Sequence, residues 1–317
     1  MKVVFFGSPA AALPSLAALL EAGHSVRLVV TQPDKPAGRG RKPAASAVKA
    51  FATERGIPVI GPARIRTDEA ALERIRAAGP DVSVVVAYGQ IIPRAVHYFP
   101  RHHSVNVHFS LLPKYRGAAP VQWTVLNGDA ETGVTIIELD DRMDEGDILA
   151  QERVPVVPRE TARGLEERLA RLGAALLVST LARIDDLPRL EQDDAQATLA
   201  PKIRKEDGRV SWLDAAAAVD RKVLALGDKP GVFTAYKGKR VNIVRGRAVE
   251  SAGCPSPDAT AVDPGTVLGI GKAGLEVACG AATSYLIEEL QPEGKGVMSA
   301  HAFSLGTKIA PGDSFGG

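Results

Sequence analysis

Along the first half of the chain, short apolar runs alternate with stretches whose apolar residues recur at helical spacing. "KVVFFG" at 2–7 predicts a strand, and Ser8 with Pro9 behind it suits the N-cap and first position of a helix that closes at Gly23. "SVRLVVT" at 25–31 predicts a second strand, 46–56 a second helix, and "GIPVI" at 56–60 a short third strand. Thr67 or Asp68 opens a further helix through Ala78, and "DVSVVVAYG" and "HSVNVHF" follow as strands. Strands separated by helices at this spacing imply right-handed βαβ units, hence a mostly parallel sheet with both faces covered. The expected fold is a Rossmann-like α/β domain, extended by strands at "ETGVTIIELD" and "GDILAQERVPV" and by a long amphipathic helix that starts at Thr161.

Beyond Leu187 the period changes. A polar, proline-containing stretch reads as a linker, followed by an Ala-rich helix near 213–226 and short strands punctuated by "YKGKR", "GIGKAG" and "CGAAT". Short strands with Gly-rich hairpins suggest a small β-barrel. The predicted organisation is residues 1–187 as the α/β domain, 188–205 as the linker and 206–317 as a smaller C-terminal, OB-like barrel.

Length agrees with two domains, because 317 residues exceed what one core commonly supports. A hydrophobic share of 45% with 24% charged residues is ordinary for a water-soluble protein, and no apolar run is long enough to span a bilayer. Two cysteines, Cys254 and Cys279, make a disulfide framework or a metal site improbable, so a cytoplasmic location is expected. Net charge of +2 does not by itself suggest a nucleic-acid partner. Its distribution says more, with bases crowded into "KPAGRGRK" (35–42) and again from Lys202 to Arg247.

Candidate chemistry centres on "SVNVHFSLLPKYRGAAPVQW" at 104–123. Side chains alternate along a strand, so Asn106, His108 and Ser110 share one face and Val105, Val107 and Phe109 the other. Two hydrogen-bonding groups near a strand's carboxyl end need partners, and that end is where open α/β sheets bind ligands. A satisfied structural pair accounts equally well for Asn-x-His taken alone. Downstream, "DDRMDEGDIL" offers Asp140, Asp141, Asp144, Glu145 and Asp147, at a spacing unlike a Ca²⁺ loop. A carboxylate that holds an imidazole is the better reading: the cationic ring and the Asn amide would then stabilise an oxyanion. No Gly-x-Ser-x-Gly elbow lies beside them, which favours direct acyl transfer. Adjacent His102 and His103 would point to opposite faces of a strand and lack other ligands, so no metal is expected.

"VNVHFSLLPKYRGAAPVQW" followed by "GVTIIELDDRMDEGDIL" resembles the signature of the folate-dependent formyltransferases. "TQPDKPAGRGRK", "VVVAYGQIIP" and "LQPEGKGVMSAHAF" extend the resemblance to the members that formylate methionyl-tRNA, over essentially Met1 to Lys308. The resemblance implies transfer of a formyl group from 10-formyltetrahydrofolate, as co-substrate, to the α-amine of initiator methionyl-tRNA. By it, Asn106 and His108 polarise the formyl oxygen, while Asp144 orients His108 and accepts the amine's proton, through water. Ser110, Leu111, Leu112 and Pro113 lie against the folate, and the backbone of Ala87, Tyr88 and Gly89 meets the pterin. The family also suggests a monomer. "LALGDKPGVFT" departs from the usual Asn-aromatic-Pro-Gly context, which bears on the barrel and not on the chemistry.

A loop of Gly, Pro and basic residues between the second strand and its helix is long for a βα connection. The resemblance implies that it grips tRNA, with Arg39 at the acceptor end and Arg41 and Lys42 on the backbone. Lys205 is the candidate tRNA contact on the approach to the barrel, among further bases at Lys202, Arg204, Arg209, Lys237, Lys239, Arg240, Arg245 and Arg247. A formyltransferase that acts on a sugar or another small amine is the alternative, and a silent RNA-binding protein on the same scaffold is a third reading.

Overall fold

The computed structural model describes residues 1–37, 42–249 and 262–316. They form two compact units, one comprising Met1–Val121, Ala130–Val156 and Gly164–Pro201, the other Gln122–Asp129, Val157–Arg163 and Lys202–Gly317. The stretch expected as a linker is divided between them, 188–201 with the first and 202–205 with the second. Among the described residues no helix is long and apolar enough to cross a membrane.

In chain order the elements are β1 Lys2–Gly7, α1 Leu13–Glu21, β2 Ser25–Val30, β3 Lys35–Ala37, β4 Lys42–Ala44, α2 Ala47–Glu54, β5 Val59–Ile60, α3 Glu69–Ala77, β6 Val82–Val86, α4 Arg94–His97, β7 Ser104–His108, α5 Pro120–Asn127, β8 Glu131–Glu138, β9 Ile148–Pro155 and α6 Ala162–Leu181. The first unit carries a seven-stranded sheet ordered β5-β2-β1-β6-β7-β8-β9. Pairing is parallel from β5 to β7 and antiparallel for β8 and β9. Its order reverses between β1 and β6. The loops after these two strands therefore flank the crevice where such sheets take ligands.

Register carries the alternation through the sheet. Phe6 pairs Val85 and Val85 pairs Asn106, so Asn106 stands on the face where Val4, Phe6, Leu28, Val30 and Val85 cluster with Leu72 and Ile75 of α3. On the opposite face Val107, Val134 and Phe109 close over Gly173 of α6, where a Cβ would come within 2.7 Å of Val107. Leu165, Leu169 and Leu177 of α6 are wholly buried, each worth about 1.5 to 3 kcal/mol of burial.

Helix starts follow their caps. Ser46 accepts from the Lys49 N–H at 3.1 Å and Asp68 from the Ala71 N–H at 3.0 Å, which fixes the starts of α2 and α3. Ser8 does not cap α1. The chain passes first through a 3₁₀ turn at Ala10–Ala12, and the Ser8 hydroxyl accepts from the Gln32 N–H at 2.8 Å, tying the β1 and β2 loops together.

The second unit adds α7 Ala216–Leu226, β10 Val232–Tyr236, β11 Lys239–Val249, β12 Val267–Gly271, β13 Gly274–Ala278, β14 Ser284–Pro292, β15 Met298–Ser299 and α8 Ala300–Thr307. Its antiparallel sheet runs β10-β11-β14-β13-β12, with β15 on β14. The expected hairpins are all present, and a feature without strand patterning joins the sheet's edges. The Val267 N–H donates to Asp313 O (2.8 Å) and the Gly316 N–H to Ala235 O (2.9 Å), so the segment after α8 bridges β12 and β10. Trp212, Tyr236, Phe303 and Phe315 pack beneath it with ring centroids 5.4–6.2 Å apart.

Candidate active site

β7 delivers Asn106 and His108 to the carboxyl end of the sheet, Asn106 half-buried and His108 5% exposed. The chain then turns through Ser110–Ala119, and side chains of the antiparallel edge hold that turn. Thr135 donates to the Ser110 carbonyl (2.6 Å) and accepts from the Leu112 N–H (3.1 Å). Gln151 donates to the Leu112 carbonyl and to the Thr135 hydroxyl, both at 2.9 Å. Ser110, fully buried, spends its own hydroxyl on the Lys114 carbonyl at 2.6 Å. Leu112 is buried as well, and Leu111 and Pro113 remain partly exposed.

Of the five acids at 140–147, Asp144 is the one that reaches the Asn-x-His pair. Its Oδ1 accepts from Asn106 Nδ2 at 3.3 Å and its Oδ2 from the Gly117 N–H at 2.9 Å. Asp140 lies 3.8 Å from Arg142, Glu145 pairs with Arg142 at 2.6 Å, and Asp141 with Arg94 at 2.9 Å and His97 at 3.4 Å. Burial holds the His97 imidazole below its ordinary pKa, against the pull of Asp141. Both donors to Asp144 are neutral, and its side chain is 13% exposed.

The imidazole is oriented differently from the expectation. His108 Nε2 stands 2.9 Å from the Tyr115 carbonyl, which can only accept, so Nε2 carries a proton. Nδ1 faces Asp144 Oδ1 at 3.8 Å, beyond hydrogen-bond range. The Tyr115 carbonyl therefore aims the ring, and Asp144 contributes charge beside Nδ1. Both supporting residues have left-handed backbones, Tyr115 at φ 66° and Asp144 at φ 58°, each costing about 1 kcal/mol for a residue with a Cβ. Such strain concentrates at functional sites.

Ala87, Tyr88 and Gly89 follow β6 on the crevice side of the sheet. Ala87 and Gly89 are exposed with φ of 47° and 77°, and Tyr88 turns its ring into the core against Phe6, 5.5 Å away. Burial raises the Tyr88 phenol's pKa. The Tyr88 carbonyl accepts from Gln32 Nε2 at 3.0 Å, a tie with no signal in the hydrophobic pattern.

The tRNA candidates fare unevenly. Arg39 and Arg41 lie outside the described residues, and Lys42 opens β4 with its side chain outside the described part. Lys205 is exposed, at the start of a 3₁₀ turn over Glu206–Gly208 in the second unit. Arg245 pairs with Glu288 (2.7 Å) and Glu289 (3.0 Å), and Arg247 lies 3.6 Å from Glu288. Exposed pairs of this kind are weak and exchange readily for phosphate. His103 meets Glu138 at 2.6 Å and His102 lies 3.8 Å from Asp185, so the two rings diverge. Among the described residues no group of three His, Cys, Asp or Glu side chains could hold a metal ion.

The chain matches the formyl transferase family model over residues 1–181 and the model of the formyl transferase C-terminal domain over 202–308. It is 41% identical over 318 aligned positions to the methionyl-tRNA formyltransferase of Citrifermentans bemidjiense, covering 100% of this chain and 96% of that one. To the methionyl-tRNA formyltransferase of Myxococcus xanthus it is 43% identical, covering 98% and 96%. Among solved structures, the N-formyltransferase from Helicobacter canadensis in complex with folinic acid and dTDP-3-aminofucose superposes with a TM-score of 0.65 at 19% identity, covering 92% of this chain and 99% of that one.

Proposed function

The chain belongs to the formyl transferase family, and on that premise we propose that it moves the formyl group of 10-formyltetrahydrofolate onto the α-amine of initiator methionyl-tRNA, giving the formylated tRNA used to start translation. The observation that carries this reading is identity of 41% to a methionyl-tRNA formyltransferase along the whole chain, the C-terminal unit included. Likeness to the sugar-acting enzyme is one of fold, at 19% identity.

The amine adds directly to the formyl carbon, with no acyl-enzyme. Negative charge grows on the formyl oxygen, where the Asn106 amide and the Nδ1–H of a protonated His108 can donate. Asp144, 3.8 Å from Nδ1, takes the amine's proton through a water. The backbone of 87–89, exposed at Ala87 and Gly89, meets the pterin, and Leu111 and Pro113 form the wall beside it, with Ser110 and Leu112 buried behind as its frame. Arg39 reaches the acceptor end of the tRNA, while Arg41, Lys42 and Lys205 contact its backbone. The protein acts as a monomer in the cytoplasm and needs no metal.

Steady-state formylation by the full chain tests the tRNA half. Activity on methionyl-tRNA should fall at least about tenfold between roughly 50 and 200 mM salt, because phosphate contacts release counterions. Free methionine should stay unformylated. Equal, salt-independent activity on free methionine would remove the tRNA from the account.

A further inference from the structure

We propose that Gln192, on the segment that follows α6, is a positioning residue for Asp144. The inference rests on the catalytic reading above and extends it to a stretch that reads as linker. Gln192 is 6% exposed, and its amide nitrogen donates to two backbone carbonyls of the acidic loop, Asp144 O and Gly146 O, each at 2.8 Å. Its amide oxygen accepts from Arg116 Nε at 3.0 Å, and Arg116, also 6% exposed, is anchored further by Asp194 at 2.7 Å. Both carbonyls require an N–H and the guanidinium requires an acceptor, so the amide has one orientation.

The same segment grips the loop on the other side of the site. The Arg116 N–H donates to Thr198 O and the Ala200 N–H to Arg116 O, both at 2.8 Å, while the Tyr115 N–H donates to the Thr198 hydroxyl at 2.9 Å. Leu190 and Ile148 exchange both backbone hydrogen bonds at the foot of the acidic loop. Residues 190–200 thus connect the carbonyl that aims His108, the N–H that holds Asp144 and the left-handed backbone of Asp144 itself. Gln192 joins the two loops from outside them, alongside the direct Gly117 N–H to Asp144 Oδ2 bond and the 3.8 Å approach of Arg116 to Glu145.

The test is a double-mutant cycle in the full chain, with Gln192→Ala and the near-isosteric Gln192→Met each made alone and on Asp144→Asn. Each single variant should lose about 10- to 100-fold in kcat, the cost of misplacing a reacting group by roughly 1 Å, with the KM for formyl folate within about twofold of wild type. On the Asp144→Asn background the same changes should cost less than about threefold, since the group they position is already disabled. Melting curves identify any variant that fails to fold, and the Met variant keeps the volume that Ala gives up. Wild-type kcat in Gln192→Met, or a loss that multiplies in full with Asp144→Asn, overturns the positioning role alone. An Asp144→Asn enzyme as active as wild type overturns the catalytic reading and this inference with it.

Discussion

His108→Ala should lower turnover by about 10²- to 10³-fold and leave the KM for formyl folate near its wild-type value. The ring is 5% exposed and its Nε2–H is held by the Tyr115 carbonyl, so its orientation is fixed. On the proposed mechanism Asn106→Ala should lose activity on the same scale, because its amide would be the second donor to the developing charge. The two losses should fall short of multiplying, since in that mechanism both would address one oxygen and both stand beside Asp144. Single-turnover rates at saturating formyl folate check this, and near-normal rates in either variant would remove the oxyanion site.

Gly146→Ala is the second large effect, and it acts through the backbone. A Cβ at Gly146 would overlap the Glu138 carbonyl oxygen and crowd the Asp140 N–H at 3.2 Å. Glu138 N–H already donates to Asp147 O at 2.9 Å there, so β8 and the acidic loop are pressed together where the loop returns to β9. An inserted methyl must push the loop outward. Overpacking of this kind costs about 1 to 3 kcal/mol, read as a lower denaturant midpoint with an unchanged slope. The displacement also moves Asp144, two residues upstream, so activity should fall with stability. A Gly146→Ala protein with wild-type midpoint and turnover would mean that the loop is not held as described.

The Asn-x-His pair was legible because a buried parallel strand has little use for an amide and an imidazole on one face, and the register that places Asn106 beside Val85 bears out that alternation. Among five acids, spacing alone did not choose Asp144, and resemblance did. What orients them was invisible for a plain reason. The Tyr115 carbonyl and the Gly117 N–H are backbone atoms, which every residue carries, and Gln192 acts from 48 residues beyond Asp144 within a polar stretch that looks like any linker. The C-terminal bridge hid for a related reason: residues 312–316 pair through isolated backbone bonds and show no alternation. A Ser-Pro pair reads as a helix start, but the Ser8 hydroxyl serves the Gln32 N–H of the neighbouring strand's loop instead.

Purified full-length protein offered 10-formyltetrahydrofolate together with methionyl-tRNA and a dTDP-linked amino sugar tests the central claim most directly. The account predicts formyl-methionyl-tRNA as the product, formed far more slowly but still measurably by the Asp144→Asn variant, with the sugar left unmodified. Formylated sugar beside unchanged methionyl-tRNA would contradict it.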